Sequence, residues 1–181
     1  MYITGRVSQA MEFYNKAKYI LVHYNVYHYK NHELQAKAKQ YWKDQSIPWF
    51  QFNKFILSAY INDVHEHDNK PFLFVCGIQS LRHITNLNFD TLIIDESNSV
   101  MLEMLSDFHS QSKIQTYRIL HTSLFKTAIL MDHIITSTQV EFWKKILNKN
   151  GFLPSRLLIN YYNSMKDNQI TEYSALAIMR E

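Results

Sequence analysis

Hydrophobic positions along the chain change their period several times, and each change marks an element. Near the middle, Thr91 to Ile94 form an unbroken β-branched and aliphatic run, the pattern of a buried strand. That run ends in two adjacent carboxylates, Asp95 and Glu96, and a polar step follows at Ser97 and Asn98. Val100, Met101, Met104, Leu105 and Phe108 then recur on one face of a 3.6-residue period, which predicts a helix. Phe89 to Leu105 therefore reads as strand, acidic tip and helix. In open α/β sheets ligands bind at the carboxyl ends of strands, where this tip would stand.

The chain before this stretch divides in the same way. Tyr2-Ile3-Thr4 has the character of a strand end. After Gly5-Arg6, the residues Val7, Ala10, Met11, Tyr14 and Ala17 fall at helical spacing, with Lys16 and Lys18 near the helix end, where cations suit its dipole. Tyr19 to Tyr24 (YILVHY) predicts a second short strand. His32 to Asp44, rich in Ala, Lys, Gln and Glu, predicts a solvent-facing helix. Pro48 suits a first helical position, and Phe52, Phe55, Ile56, Ala59 and Tyr60 recur at helical spacing. Residues 28–70 thus read as a helical insertion with a polar exit from Asp63 to Lys70.

Phe72 to Ile78 (FLFVCGI) is a short continuous apolar run, the signature of a buried parallel strand. Ile114 to Phe125 predicts a helix, and Ala128 to Met131 a buried strand ending at Asp132. Thr138 with Glu141 three residues on is a capping-box pattern, and Val140, Trp143, Ile146 and Leu147 supply an inner face. Gly151 suits the end of that helix. Leu157 to Ile159 predicts a last strand, and Ile170 to Met179 reads as either a strand or a terminal helix. Strands alternating with helices predict an α/β fold, a parallel sheet flanked by helices in a single domain over residues 1–181.

Composition narrows the class without fixing the chemistry. With 181 residues, 46% of them hydrophobic and 19% charged, the chain is an ordinary globular one rather than a disordered one. A net charge of +3 permits contact with nucleic acid without arguing for it. One cysteine, Cys76, excludes an internal disulfide and suits a reducing, intracellular compartment. No run approaches the roughly 18 apolar residues of a membrane span. The first ten residues lack the apolar core of a signal peptide, so the expectation is a protein that is neither secreted nor membrane-bound.

Candidate chemistry centres on Asp95-Glu96. A strand ending in paired carboxylates fits a Walker B element, in which the first holds Mg²⁺ and the second positions the attacking water. Acidic residues also terminate strands and cap helices, which is the plainer account. The usual partner, G-x-x-x-x-G-K-[ST], is absent, because the only glycines are Gly5, Gly77 and Gly151. Either a phosphate loop lies upstream of Met1 in a longer protein, or the chain binds no nucleotide by that route. His65-Glu66-His67-Asp68 in a polar loop, and the i, i+4 pair His28 and His32, are expected to be solvated rather than metal ligands. Cys76, on a buried strand, is expected to be inert. The aromatic-basic stretch Tyr24 to Lys30 could stack on bases or simply pack.

Taken together, several stretches resemble the superfamily 2 helicase domain of replication origin-binding proteins, the herpesvirus type and its relatives. Thr4-Gly5-Arg6-Val7-Ser8 looks like that family's motif Ia, and Cys76 to Leu81 is similar to its glutamine-x-Ser-Leu segment. Leu92 to Val100 (LIIDESNSV) resembles its acidic box most closely. Ile129 to Asp132 looks like its next strand, which ends in an aspartate motif, and Val140-Glu141-Phe142 and Leu158-Ile159-Asn160 continue the likeness. The chain departs from the pattern in lacking the phosphate loop, in carrying His133 where the family has a small residue, and in stopping after what would be the first RecA-like lobe.

The resemblance implies a partial RecA-like lobe of an ATP-dependent DNA helicase. It implies Asp95 holding Mg²⁺, Glu96 as catalytic base, Thr4, Arg6, Gln79 and Ser80 on DNA, and Asp132 in the coupling motif. The implied partners are DNA, single-stranded or origin duplex, together with the missing helicase segments or other replication proteins. A viral protein of this kind would act in the nucleus or cytoplasm of its host. ATP and Mg²⁺ belong to the complete protein, and neither is expected to bind tightly to this chain alone. The alternative is a non-catalytic DNA-binding or protein-interaction module that kept the fold.

Overall fold

The computed structural model describes residues 1–46, 56–68, 70–84, 89–106, 110–122, 125–133, 135–147, 153–162 and 172–180. Strands β1 (Tyr2–Thr4), β2 (Asn25–His28), β3 (Phe72–Gly77), β4 (Thr91–Asp95) and β5 (Thr127–Asp132) lie side by side in the order β2-β3-β1-β4-β5. All five run parallel. Beyond β5, strands β7 (Glu172–Arg180) and β6 (Leu153–Tyr162) extend the sheet in antiparallel pairing. Helix α1 (Val7–Ile20) follows β1, and α2 (His32–Asp44) and α3 (Ile56–His67) lie between β2 and β3. Helices α4 (Ser97–Leu105) and α5 (Ser110–Thr122) connect β4 to β5, and α6 (Ser137–Leu147) follows β5.

Side chains of a strand alternate between faces, and the two faces of this sheet are covered unequally. Ile3, Phe74, Cys76, Leu92, Ile94, Ala128 and Leu130 point into the larger core. There they meet Trp42 of α2, Ile61 of α3, Val100 of α4, Leu120 of α5 and Trp143 of α6. The opposite face carries a smaller cluster, in which Tyr2 and Val75 pack under Ala10 and Tyr14 of α1. Fully burying one side chain such as Phe74 contributes ~1.5–3 kcal/mol relative to leaving it exposed, so the larger cluster dominates stability. No helix among the described residues is long and apolar enough to cross a membrane.

Several element boundaries differ from the sequence expectation, each for a physical reason. Tyr19 to Tyr24 is no strand: Tyr19 and Ile20 complete α1, and pairing with β3 starts only at Asn25 opposite Phe72. All the apolar side chains of that stretch but Leu21 face solvent, with Tyr19 at 82% and Val22 at 70% exposure, so no sheet burial rewards an extended backbone there. Helix α3 runs on through His67, so 65–67 are helical and not a loop, and Asp63 lies inside the helix. Pro48, Phe52, Phe55, Phe108 and Gly151 lie outside the described residues.

Helix α5 begins at Ser110 and ends at Thr122, earlier at both ends than expected. Phe125 is instead a core residue ahead of β5, 1% exposed. The capping box of α6 sits two residues before the expected one. Thr136 N–H donates to Gln139 Oε1 at 2.7 Å, and Gln139 N–H donates back to Thr136 Oγ1 at 3.3 Å, satisfying two orphan donors reciprocally. Glu141 pairs with Lys144 at 2.9 Å instead. Leu105 of α4 faces solvent rather than the core. The open choice at the C-terminal end resolves as a strand, β7, antiparallel to β5.

Candidate functional site

The sheet order creates one crevice by topology. From β1 the chain leaves through α1 toward β2 on one side, whereas from β4 it leaves through α4 and α5 toward β5 on the other. β1 and β4 are hydrogen-bonded neighbours, with Ile3 opposite Ile94. Their carboxyl ends therefore form a switch point where two connections diverge, the place where open α/β sheets hold ligands. Thr4-Gly5-Arg6 lines one side of this crevice and Asp95-Glu96 the other.

Both carboxylates are held from α1 and β1. Tyr2 Oη donates to Asp95 Oδ2, and Glu96 N–H donates to Asp95 Oδ1 at 3.0 Å. Tyr2 is itself locked by a parallel stack on Phe13, ring centroids 3.7 Å apart. Burial, then the hydrogen bond and charge of Asp95, push the Tyr2 phenol far up, so it stays protonated and remains the donor. Gln9 Nε2 donates to Glu96 Oε1 at 2.6 Å, and Gln9 Oε1 accepts from Thr4 Oγ1 at 2.8 Å. Thr4 Oγ1 also accepts the Arg6 N–H at 3.3 Å. A short relay thus runs from the β1–α1 turn to the Glu96 carboxylate.

Glu96 takes a left-handed backbone, φ 50°, ψ 54°, a conformation that costs an L-residue ~1–2 kcal/mol. It is the N-cap of α4, yet its side chain makes no capping bond. The missing acceptor comes from the next strand. Asp132 Oδ2 accepts Asn98 N–H at 2.7 Å, Ser97 Oγ at 3.4 Å and Gln139 Nε2 at 3.4 Å, while Oδ1 accepts His133 N–H at 2.8 Å. A negative charge at a helix N-terminus is favourable. Asp132 therefore joins the first turns of α4 and α6 to the acidic tip.

Of the other residues singled out from the sequence, Arg6 is exposed at the N-cap of α1. Gln79 is exposed, and its Nε2 donates to Glu103 Oε1 at 2.8 Å. Ser80 is buried in the 3₁₀ segment Ile78–His83, 4% exposed, and Thr4 is fully buried. Neither hydroxyl is presented to a polymer in this conformation, and Thr4 acts through Gln9 instead. Cys76 is fully buried, and burial pushes its thiol up to about 12. His28 is buried too, held below its ordinary range, first by burial and then by the Lys30 charge.

Sequence reasoning missed Tyr2, Gln9 and Gln139. Gln9 carried a signal: it is the third residue of α1, the capping-box position, with Arg6 rather than Ser or Thr at the cap. A glutamine there without its usual partner is free to reach elsewhere. Tyr2 carried none, since it reads as one more strand residue. Among the described residues, no group of three or more His, Cys, Asp or Glu side chains stands together as a metal site. No protein-family model, curated protein or solved structure matches the chain.

Proposed function

We propose that the chain supplies part of the first ATPase lobe of a helicase-type protein acting on DNA, with Asp95 and Glu96 as its acidic box. The observation that carries this reading is the position of both carboxylates at the tip of β4, beside the switch point between β1 and β4. Magnesium is ordinarily held through one or two carboxylates, with water and substrate phosphates completing its shell. Asp95 and Glu96 fit that kind of site, with Asp95 as the ligand. Once bound there, the ion would neutralise charge on nucleotide phosphates. Glu96, oriented by Gln9, would accept the proton of an attacking water. Arg6 would contact the DNA backbone, contributing affinity rather than sequence readout.

The sequence holds no phosphate loop, and such loops supply much of the binding to the nucleotide. These 181 residues alone are therefore expected to bind Mg-ATP weakly and to hydrolyse none. The decisive experiment uses the longest natural product containing these residues. Glu96→Gln should abolish ATP hydrolysis while nucleotide binding persists. Undiminished hydrolysis after that change would sink the assignment.

A second reading is a non-catalytic DNA-binding or protein-interaction module. It is favoured by one observation: both Asp95 oxygens and one Glu96 oxygen already accept hydrogen bonds from within the protein. DNA binding that is salt-dependent but indifferent to nucleotide would support it.

A further inference from the structure

The carboxyl edge of the sheet is electrically divided. On the β4–β5 side stand Asp95, Glu96 and Asp132, while the β1–β3–β2 side carries Arg6, Arg82 and Lys30, with Glu33 in the first turn of α2 and Glu103 bonded to Gln79 as the acids at its margins. The basic side is continuous in space. A Cβ placed on Gly77 would lie 3.4 Å from Val7, so the 3₁₀ segment Ile78–His83 starts against the turn that bears Arg6. On its far side Tyr29 N–H donates to Val75 O at 3.2 Å, which brings the end of β2 alongside.

An aromatic platform sits on this basic side. The Tyr29 and His83 rings are nearly parallel, 7° between planes and 5.6 Å between centroids. Lys30 Nζ lies 5.8 Å from the centre of the Tyr29 ring, and Arg82 Nε donates to His83 Nε2 at 2.9 Å. Burial raises the Tyr29 phenol, and the Arg82 charge pulls it part of the way back. Both rings are half-buried and Lys30 is exposed. Flat rings flanked by cations are the chemistry that binds single strands without regard to sequence: bases stack and phosphates meet the charges.

We infer that Tyr29, Lys30, Arg82 and His83 form a binding site for single-stranded nucleic acid, with a base stacked at the Tyr29–His83 pair and phosphates held by Lys30 and Arg82. Adjacent strands are ~4.8 Å apart, so the strand would run from this platform past Arg6 toward the acidic tip within three strand spacings. The inference rests on the proposed function only for the identity of the polymer. It adds a base-stacking contact that the backbone contact at Arg6 does not supply.

The test is fluorescence anisotropy of a labelled oligothymidylate with the full chain, in a salt series and without nucleotide. Tyr29→Ala should weaken binding roughly tenfold or more, and Tyr29→Phe should retain it. Lys30→Gln and Arg82→Gln should each lower the salt slope by about 0.7, and they report on the site even where Tyr29→Ala fails to fold. Lys18→Gln, which removes a charge near the end of α1 and away from this edge, should change little. The inference is overturned by an absence of binding, by duplex of equal length binding as tightly, or by Lys18→Gln matching Lys30→Gln. Because no nucleotide is present, a failed hydrolysis assignment leaves this result standing, and failed strand binding leaves the hydrolysis assignment standing.

Discussion

Gln9 Nε2 lies 2.6 Å from Glu96 Oε1, joining the third residue of the first helix to the end of a strand 87 positions away. The same amide accepts Thr4 Oγ1 through its oxygen, so its orientation is fixed at both ends. A hydrogen bond to a charged group contributes ~1.5–3 kcal/mol when well shielded, and partial exposure here lowers that. Gln9→Ala is expected to cost ~1 kcal/mol of stability in urea unfolding. In the longest natural product it should also slow ATP hydrolysis about tenfold with nucleotide affinity retained. A hydrolysis rate untouched by Gln9→Ala would mean that the relay does not serve Glu96.

The left-handed backbone at Glu96 separates two substitutions that otherwise look alike. Alanine removes the carboxylate and keeps the strain, whereas glycine removes both. Glu96→Gly should therefore be more stable than Glu96→Ala by ~1 kcal/mol, read from thermal or urea midpoints. Equal stabilities would show that position 96 relaxes its backbone when the side chain is lost.

Asp132 serves α4 as a cap supplied from another strand. Asp132→Ala should destabilise the fold by ~1–2 kcal/mol, the usual range for a lost helix N-cap acceptor. Asp132→Asn keeps an acceptor for Asn98 N–H and should lose less. Hydrogen exchange at the Asn98 amide is the local readout, with faster exchange in the alanine variant than in the asparagine one.

His28 makes stability depend on pH. Its folded value is depressed to about 4 from an ordinary 6.5, so between those two values the unfolded chain binds more protons than the folded one. Its contribution is present above about 6.5 and is lost as the pH falls toward 4, worth up to ~3 kcal/mol in full. Nδ1 accepts Lys30 N–H at 3.2 Å, and Nε2 is buried without a partner among the described residues. His28→Phe should flatten the difference between urea midpoints at pH 7 and pH 4.5. An unchanged difference would assign the acid sensitivity to other groups.

How much could be seen in advance depended on whether a feature was local. The strand at Thr91–Asp95 and the helix after it were legible because burial imposes a period on their residues. The YILVHY stretch misled for the same reason, since composition cannot tell an apolar run that gains cover from one that stays in solvent. The acidic tip was visible as two letters, but its supports were not. Tyr2 and Gln9 reach it across the fold, and such contacts leave no spacing in the sequence; Asp132 stood out as a strand end, but not as the acceptor for the first turn of α4. Thr4 and Ser80 show the converse: a hydroxyl in a suggestive motif can be turned inward by the strand or 3₁₀ segment that carries it.

The unequal cover of the two sheet faces has a consequence for local opening. Tyr2, Phe13 and Gln9 all depend on the α1 side, the smaller of the two clusters, while most of the fold's stability lies on the other. Partial opening begins where the fewest apolar contacts must be broken. If α1 lifts as a unit, Phe13 leaves Tyr2 and Gln9 leaves Glu96 in one event, freeing the Glu96 carboxylate and unstacking the tyrosine that holds Asp95 while the main core stays closed. The constraint on the acidic tip is thus set by the weaker layer, and a ligand that grips the β1–α1 turn could release or tighten it without unfolding the rest.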